Sequence, residues 1–313
     1  MKKNQPKTIA MRWTILSFVL VLSMGIHAQD TIIPLWSDII PNQLKSAEKE
    51  RRVNTDYSAI FNVQTPTIEG YLPSKRSATG QAVLIFPGGS YNELVFGWEG
   101  LDVAKALSAK GIAAFVVKYR LPVSKSLVDQ QDVPLQDAQR AIRIVRGKAK
   151  EFGIDPNKIG IMGFSAGGHA ASTLGTHFSE QVYAPMDELD TISSRPAFMA
   201  LIYPVITMMK PLTHLGSRTA LLGDSNDEGL VRRFSNELNV NENTPPTFLV
   251  HSVDDDVVPV ENTLFFFNAL KAKKVPVEMH IYPYGGHGYA IGRKDEHLKW
   301  WLDGFLRWLN DYF

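Results

Sequence analysis

The run Gly163, Phe164, Ser165, Ala166, Gly167 carries the spacing of a nucleophilic serine. A glycine stands two positions to either side of the hydroxyl. A Cβ at either place would clash if a strand turned sharply into a helix there. Such a turn lifts the Ser165 hydroxyl above the strand ends. It also puts the Ala166 N–H at a helix N-terminus, where it can stabilise an oxyanion. The chemistry this serves is acyl transfer: the hydroxyl attacks a carbonyl carbon while a base takes its proton and a third group orients the base.

Chains built around this turn place the acid and then the histidine after the serine. Of the eight histidines, His287 lies in the glycine-rich stretch Tyr284–Tyr289, which lets the chain fold back over the strand ends. His169, His177, His214, His251, His280 and His297 fall on expected helices, strands or mixed segments, and His169 is expected to pack or to bond a neighbouring loop. For the acid, Asp254, Asp255 and Asp256 all follow the apolar run Thr247–His251. The spacing of His251, Asp255, Val258 and Pro259 favours Asp255, with Asp254 and Asp256 as the alternatives. Three adjacent carboxylates repel, so at least two are expected to face solvent or cap a helix. After the first core strand come Pro87, Gly88, Gly89, Ser90 and Tyr91. Glycines let the backbone approach a substrate oxygen, so the N–H groups of Gly89 and Ser90 join Ala166 as expected oxyanion donors. No metal-ligand spacing or dinucleotide-type glycine pattern is present, and catalysis without metal or cofactor is expected.

The elements that must hold these residues alternate. Short apolar runs at Ala82–Phe86, Ile112–Tyr119, Ile159–Met162, Phe198–Val205, Thr247–His251 and Val277–Tyr282 are predicted strands. Helical spacing marks Glu99–Lys110, Pro134–Phe152, Ala166–Thr176, Glu261–Lys273 and Lys294–Leu309. Pro134 suits a first turn, and Gly111 and Gly153 suit helix ends. Trp300, Trp301, Leu302, Phe305 and Trp308 on the last helix are expected in the core. Residues 29–75 predict one or two strands, with Trp36, Tyr57, Ile60 and Phe61 leading into the core. Residues 206–243 have no clean period and are expected to be an insertion or a lid. Strands alternating with helices imply an α/β fold with a mostly parallel sheet covered on both faces. Glu99 is a possible cleft residue, yet Glu99 and Asp137 both stand near helix starts, where a carboxylate is favourable; neither is given a catalytic role.

The chain has 313 residues, 44% hydrophobic and 21% charged, with a formal net charge of +1 and no cysteine. Such a length suits one large α/β domain, here residues 29–313. Absent cysteine excludes disulfides, cysteine metal sites and cysteine nucleophiles. Near-neutral charge without a basic patch predicts a small or neutral partner rather than nucleic acid. Lys2, Lys3, Lys7 and Arg12 precede the apolar run Trp13–Ile26, and a small residue, Ala28, follows. That order predicts a secretory signal peptide over residues 1–28, export to the periplasm or beyond, and no membrane attachment after cleavage. An uncleaved anchor is the alternative, though the run is shorter than the roughly 20 residues that span a bilayer.

With these residues in view, the chain resembles the α/β-hydrolase-fold esterases, and within them the bacterial acetyl xylan esterase-like branch related to hormone-sensitive lipase. The similar segments are Phe86–Tyr91, Trp98–Gly100, Ala114–Leu121, Pro134–Arg143, Gly153–Pro156, Ile161–His169, Pro245–His251 and Gly285–Gly288. The resemblance implies Ser165 as nucleophile, Asp255 as acid and His287 as base. It implies hydrolysis of acetyl or other small acyl esters on plant polysaccharides such as xylan, or on their oligosaccharides, so the expected partner is an acylated carbohydrate. Tyr91 and Trp98 are candidate substrate-binding residues, and with Tyr203, Tyr282 and Tyr289 could form a sugar-stacking surface; packing in the core or at the rim is the alternative, and the commoner role, for each. Two departures stand out: Ser90 where the lipase-like branch often has glycine, and Ser252 and Asp256 where relatives often have glycine and proline. Feruloyl and short-chain carboxylesterases, peptidases of the prolyl-oligopeptidase type and a non-catalytic binding module are the alternatives. The peptidases usually carry a large gating domain, for which no segment is expected here, and a binding module would not need all three triad members.

Overall fold

The computed structural model describes residues 1, 31–54, 57–292 and 295–313. Residues 1–28, where the signal peptide is expected, lie, apart from Met1, outside that set. The strands are β1 (Thr31–Pro34), β2 (Arg51–Val53), β3 (Ala59–Phe61), β4 (Thr67–Tyr71), β5 (Ala82–Phe86), β6 (Leu94–Val95), β7 (Ala113–Lys118), β8 (Ile159–Phe164), β9 (Met199–Ile202), β10 (Thr247–Ser252) and β11 (Val277–Tyr282). Eight of them form one sheet in the order β1-β4-β7-β5-β8-β9-β10-β11, while β2, β3 and β6 form a small second sheet. From β7 to β11 every pairing in the large sheet is parallel; β1 and β4 run antiparallel to their neighbours. The central strands β5 and β8 are buried along their whole length, as continuous apolar runs in a doubly covered parallel sheet must be.

The helices are α1 (Asp102–Ser108), α2 (Val133–Gly147), α3 (Ala149–Phe152), α4 (Ser165–His177), α5 (Leu215–Leu222), α6 (Glu228–Arg233), α7 (Glu261–Ala272) and α8 (Trp300–Tyr312). None is long and apolar enough to cross a membrane among the described residues. This is the α/β-hydrolase arrangement, with a mostly parallel sheet flanked by helices.

Several boundaries depart from the sequence reading. Residues 31–71 hold four strands, not one or two, because β2 and β3 are only three residues long and β3 takes its other partner, β6, from beyond β5. The expected helix from Glu99 opens as a π-helical turn, Gly97–Leu101, before α1 begins. The Pro134–Phe152 helix breaks at Lys148, and Gly153 closes α3 in the left-handed region at φ 69°. The last helix starts at Trp300, six residues later than Lys294, and Trp300 itself is 72% exposed while Trp301, Phe305 and Trp308 are buried. Asp137 lies past the first turn of α2. It is fully buried, accepts from Trp36 Nε1 at 2.8 Å and pairs with the buried Arg120 at 2.8 Å. It is a core ion pair rather than a helix-dipole carboxylate.

Residues 206–243 carry α5 and α6 and are fastened to α4, which bears the candidate nucleophile, and to α7. His169 on α4 donates from Nε2 to the Phe234 carbonyl at 2.8 Å, and its Nδ1 accepts from the Tyr91 hydroxyl at 2.8 Å. Asn262 on α7 accepts from the N–H groups of Ile206 and Thr207. Burial holds the His169 pKa down at about 4, so the folded protein keeps this imidazole neutral. The unfolded chain takes up a proton there near pH 6.5. Between these values the unfolded state binds more protons, so stability falls as pH falls. Urea unfolding of wild type and His169→Gln checks this: the stability difference between them is expected to shrink by about 3 kcal/mol from pH 7 to pH 4.

Candidate active site

β8 runs straight into α4, and the turn between them has no spare volume. A Cβ on Gly163 would lie 2.3 Å from the Gly167 carbonyl oxygen, and one on Gly167 would lie 2.1 Å from the Phe86 carbonyl oxygen. Ser165 occupies the left-handed region at φ 51°. That conformation is strained for a residue with a side chain and persists only where the surroundings over-determine it. It leaves Ser165 6% exposed, at the first position of α4.

The Ser165 hydroxyl donates to His287 Nε2 at 2.9 Å, and His287 Nδ1 donates to Asp255 Oδ2 at 2.7 Å. Three residues from three separate strand ends thus form one hydrogen-bonded chain. Of the three adjacent carboxylates, Asp255 is the buried one; Asp254 and Asp256 are exposed, and Asp254 accepts from the Gly286 N–H at the base of the histidine loop. Asp255 is an acceptor on both sides. Its Oδ1 takes the N–H groups of Val257 at 3.0 Å and Val258 at 2.8 Å, and its Oδ2 takes His251 Nε2 at 3.1 Å as well as His287. His251 Nε2 also faces the Val258 carbonyl at 3.0 Å, so that nitrogen carries the proton and Nδ1 accepts from Thr263. Burial alone would push the Asp255 carboxyl upward; the hydrogen bonds from His251 and His287 outweigh it and hold the group well below the usual carboxylate range.

Gly89 and Ser90 sit beside Ser165, at φ 124° and 56°. Their loop uses the Gly88 N–H toward Glu99 and the Gly89 carbonyl toward the N–H groups of Asn92 and Glu93. The N–H groups of Gly89 and Ser90 have no protein acceptor among the described residues, and Ala166 lies in the first turn of α4, where N–H groups lack helical partners. These three can meet a substrate oxygen.

A cavity of about 240 Å³ opens over Ser165 and His287. Trp98 is on its wall, edge-on to Tyr57 with ring centroids 5.8 Å apart. Tyr91 is not. It is 1% exposed, with its hydroxyl turned onto His169 at 2.8 Å, so it supports the fold instead of touching substrate. Tyr203 is likewise fully buried, packed against the His287 ring at 4.9 Å between centroids. Tyr57, Glu93, Val95, Glu99, Val257 and Gly288 also line the cavity wall, and residues 206–243 contribute none of it among the described residues. Glu93 keeps one carboxylate oxygen buried without a protein partner. Nothing in its sequence neighbourhood singles it out. No group of three or more His, Asp or Glu side chains is placed to hold a metal ion among the described residues.

Residues 68–270 match the BD-FAE family. The chain is 39% identical over 257 residues to an endo-1,4-beta-xylanase B of Butyrivibrio fibrisolvens, covering 82% of this chain and 39% of that protein. It is 35% identical over 244 residues to an acetylxylan esterase of Xylanibacter ruminicola, covering 77% of this chain and 47% of that protein. The chain therefore spans less than half the length of these two relatives. The crystal structure of an acetyl ester-xyloside bifunctional hydrolase from Caldicellulosiruptor lactoaceticus is similar at a TM-score of 0.78 and 37% identity, covering 92% of this chain and 98% of that one.

Two substitutions test the geometry. Gly167→Ala forces a methyl group into backbone oxygens and is expected to lower stability by about 3 kcal/mol or to prevent folding, read by urea unfolding. Asp255→Asn must turn an NH₂ toward one pair of donors, either the valine N–H groups or the two histidines. It is expected to cost about 2 kcal/mol and to slow the reaction of Ser165 with an organophosphonate, measured by mass spectrometry.

Proposed function

Because the chain belongs to the BD-FAE family of α/β-hydrolases, we propose that it is a serine esterase that removes acetyl groups from xylan or xylo-oligosaccharides. The observation that carries this reading is the Ser165–His287–Asp255 chain at the foot of a small cavity. His287 Nε2 takes the proton as Ser165 Oγ attacks the ester carbonyl. Asp255 keeps the Nδ1 proton in place and stabilises the imidazolium that forms. The oxyanion is met by the N–H groups of Gly89, Ser90 and Ala166. His287 then protonates the departing sugar oxygen, and water repeats the sequence on the acyl-enzyme.

The size of the cavity favours a short acyl group. At about 240 Å³ it lies below the roughly 300–1,000 Å³ of sites that enclose drug-sized ligands, so the alcohol part sits at the mouth. Trp98 and Tyr57 offer flat apolar faces there. The relatives named for xylan support the same substrate class. Export, which the basic and apolar residues before Ala28 suggest, would bring the enzyme to such polymers.

Release of the acid tests the reading, with acetate from acetylated xylo-oligosaccharide and from a simple acetyl ester, and ferulate from a feruloylated oligosaccharide, compared for wild type and Ser165→Ala. Acetate is expected from the acetylated sugar, and kcat is expected to fall by more than about 10⁴-fold in Ser165→Ala. A folded Ser165→Ala protein at full rate would sink the mechanism, and release from the simple ester alone would remove the sugar from it.

A further inference from the structure

Glu99 is a buried carboxylate that the acyl-transfer steps do not use. It is 4% exposed, yet it lies on the cavity wall beside the nucleophile. A Cβ placed on Gly88 would be 2.7 Å from Glu99 Oε2 and 2.8 Å from the Ser165 Cβ, so the three residues are packed against one another. Glu99 Oε2 accepts the Gly88 N–H at 2.7 Å, and Glu99 Oε1 accepts the Tyr203 hydroxyl at 2.9 Å. The Tyr203 oxygen in turn accepts the Ala290 N–H at 2.9 Å. One carboxylate therefore links the oxyanion loop to the loop that carries His287.

Both ends of this link are places where the backbone would not rest by itself. Ser90, Tyr91, Ser165, Tyr203 and Ala290 all have positive φ, between 37° and 62°, without being glycine. That conformation is strained for a residue with a side chain, so something must hold each of them. On the oxyanion side, the peptide unit between Pro87 and Gly88 is gripped at both polar atoms, because the Tyr119 hydroxyl donates to the Pro87 carbonyl at 2.7 Å while Glu99 takes the Gly88 N–H. That unit cannot rotate without breaking two bonds. On the histidine side, Ala290 is pinned by Tyr203 at its N–H and by Trp301 Nε1, which donates to its carbonyl at 2.9 Å. The Tyr203 ring lies under the imidazole, 4.9 Å between centroids. Burial raises the Glu99 pKa, while the bonds from Gly88 and Tyr203 and the nearby His287 oppose that rise.

We propose that Glu99 is a positioning residue of this site: through Gly88 and the Tyr203 hydroxyl it keeps the oxyanion donors and the His287 imidazole at one fixed spacing about Ser165. The proposal rests on the reading of Ser165 as an acyl-transfer nucleophile. Its consequence is specific. Losing the link loosens the geometry in which the oxyanion forms, while the Tyr57, Trp98 and Val257 parts of the cavity wall keep their side chains, so kcat falls and KM does not follow.

The test is steady-state turnover of p-nitrophenyl acetate by the full chain, with active sites counted by an organophosphonate and folding checked by circular dichroism. Glu99→Ala removes both bonds and is expected to lower kcat about a hundredfold with KM within about twofold. Glu99→Gln can accept from Gly88 through its oxygen and donate to Tyr203 through its NH₂, so it is expected to recover most of that loss, to within about tenfold of wild type. Tyr203→Phe cuts the link beyond Glu99 and is expected to lower kcat about tenfold. Because Glu99→Ala already breaks the whole path, the double variant Glu99→Ala/Tyr203→Phe is expected to be no more than about twofold slower than Glu99→Ala alone. Losses that multiply in the double variant, losses that fall wholly on KM, or wild-type kcat in a folded Glu99→Ala or Tyr203→Phe would overturn the proposal. If Glu99→Ala does not fold, Tyr203→Phe and Glu99→Gln decide it by the same kcat criteria. Wild-type protein with no turnover would overturn the esterase reading itself, and this inference with it; turnover with an unaffected Tyr203→Phe overturns this inference alone.

Discussion

Where β8 meets α4 the backbone has to pass between two sets of carbonyl oxygens, and only glycine at 163 and 167 leaves room. Much of the site follows from that close approach. The first turn of α4 lies directly against the end of β5, so the chain leaving β5 must run past Ser165, and its N–H groups come to the same side as the hydroxyl. The helix also begins at the nucleophile itself, which places Ala166 among the unpaired donors of a helix N-terminus. A looser turn would still place a serine at the end of a strand. It would not put the hydroxyl and two sources of N–H donors around one point in space.

The charge arrangement has the opposite character, since it depends on satisfaction rather than on lack of room. A buried carboxylate is costly unless its lone pairs are filled. Asp255 fills them with four N–H donors, two from backbone and two from imidazole. Only one of those donors belongs to the histidine that faces Ser165. The others fix the carboxylate without drawing on His287, so the imidazole can turn its Nε2 to the hydroxyl with its tautomer already decided. His251, fully buried and held by Thr263, does for the acid what the acid does for His287. Asp137 with Arg120 and Trp36 solves the same problem in the core, away from any chemistry.

How far the sequence could be read depended on whether a feature is local. The strand–helix alternation, the glycine spacing about Ser165 and the glycine-rich loop of His287 are each written within a few residues, and the structure brings Ser165, Asp255 and His287 together. Even the choice among three aspartates has a local sign, because His251 stands four residues before Asp255 and shares its oxygen. Features that depend on partners far along the chain were not legible. Glu99 is legible as a possible cleft residue or a helix-start carboxylate, but its bonds to Gly88 and, through Tyr203, to Ala290 are not. Tyr91 reads as a candidate substrate-binding aromatic beside a glycine loop; its place in the core is decided by His169, 78 residues away. The small sheet of β2, β3 and β6 is not legible either, because its strands are two or three residues long and join segments on either side of β5.

The same distinction explains why chemistry is easier to read here than specificity. Ser165, Asp255 and His287 stand at strand ends of a rigid sheet, and their positions follow from the order of the elements. The cavity wall is assembled from the approach to β3, the loop after β5, the two-residue strand β6, a π-helical turn and the stretches after β10 and β11. Apart from β6 none of these is a strand or an α-helix, and residues such as Tyr57, Glu93 and Val257 meet only because loops of particular lengths bring them there. A change in one loop can alter what sits at the mouth while leaving the hydrogen-bonded triad untouched. Relatives sharing the same triad can therefore differ in the alcohol they release, and a change of substrate is more readily made in residues 57 and 93–98 than in the sheet.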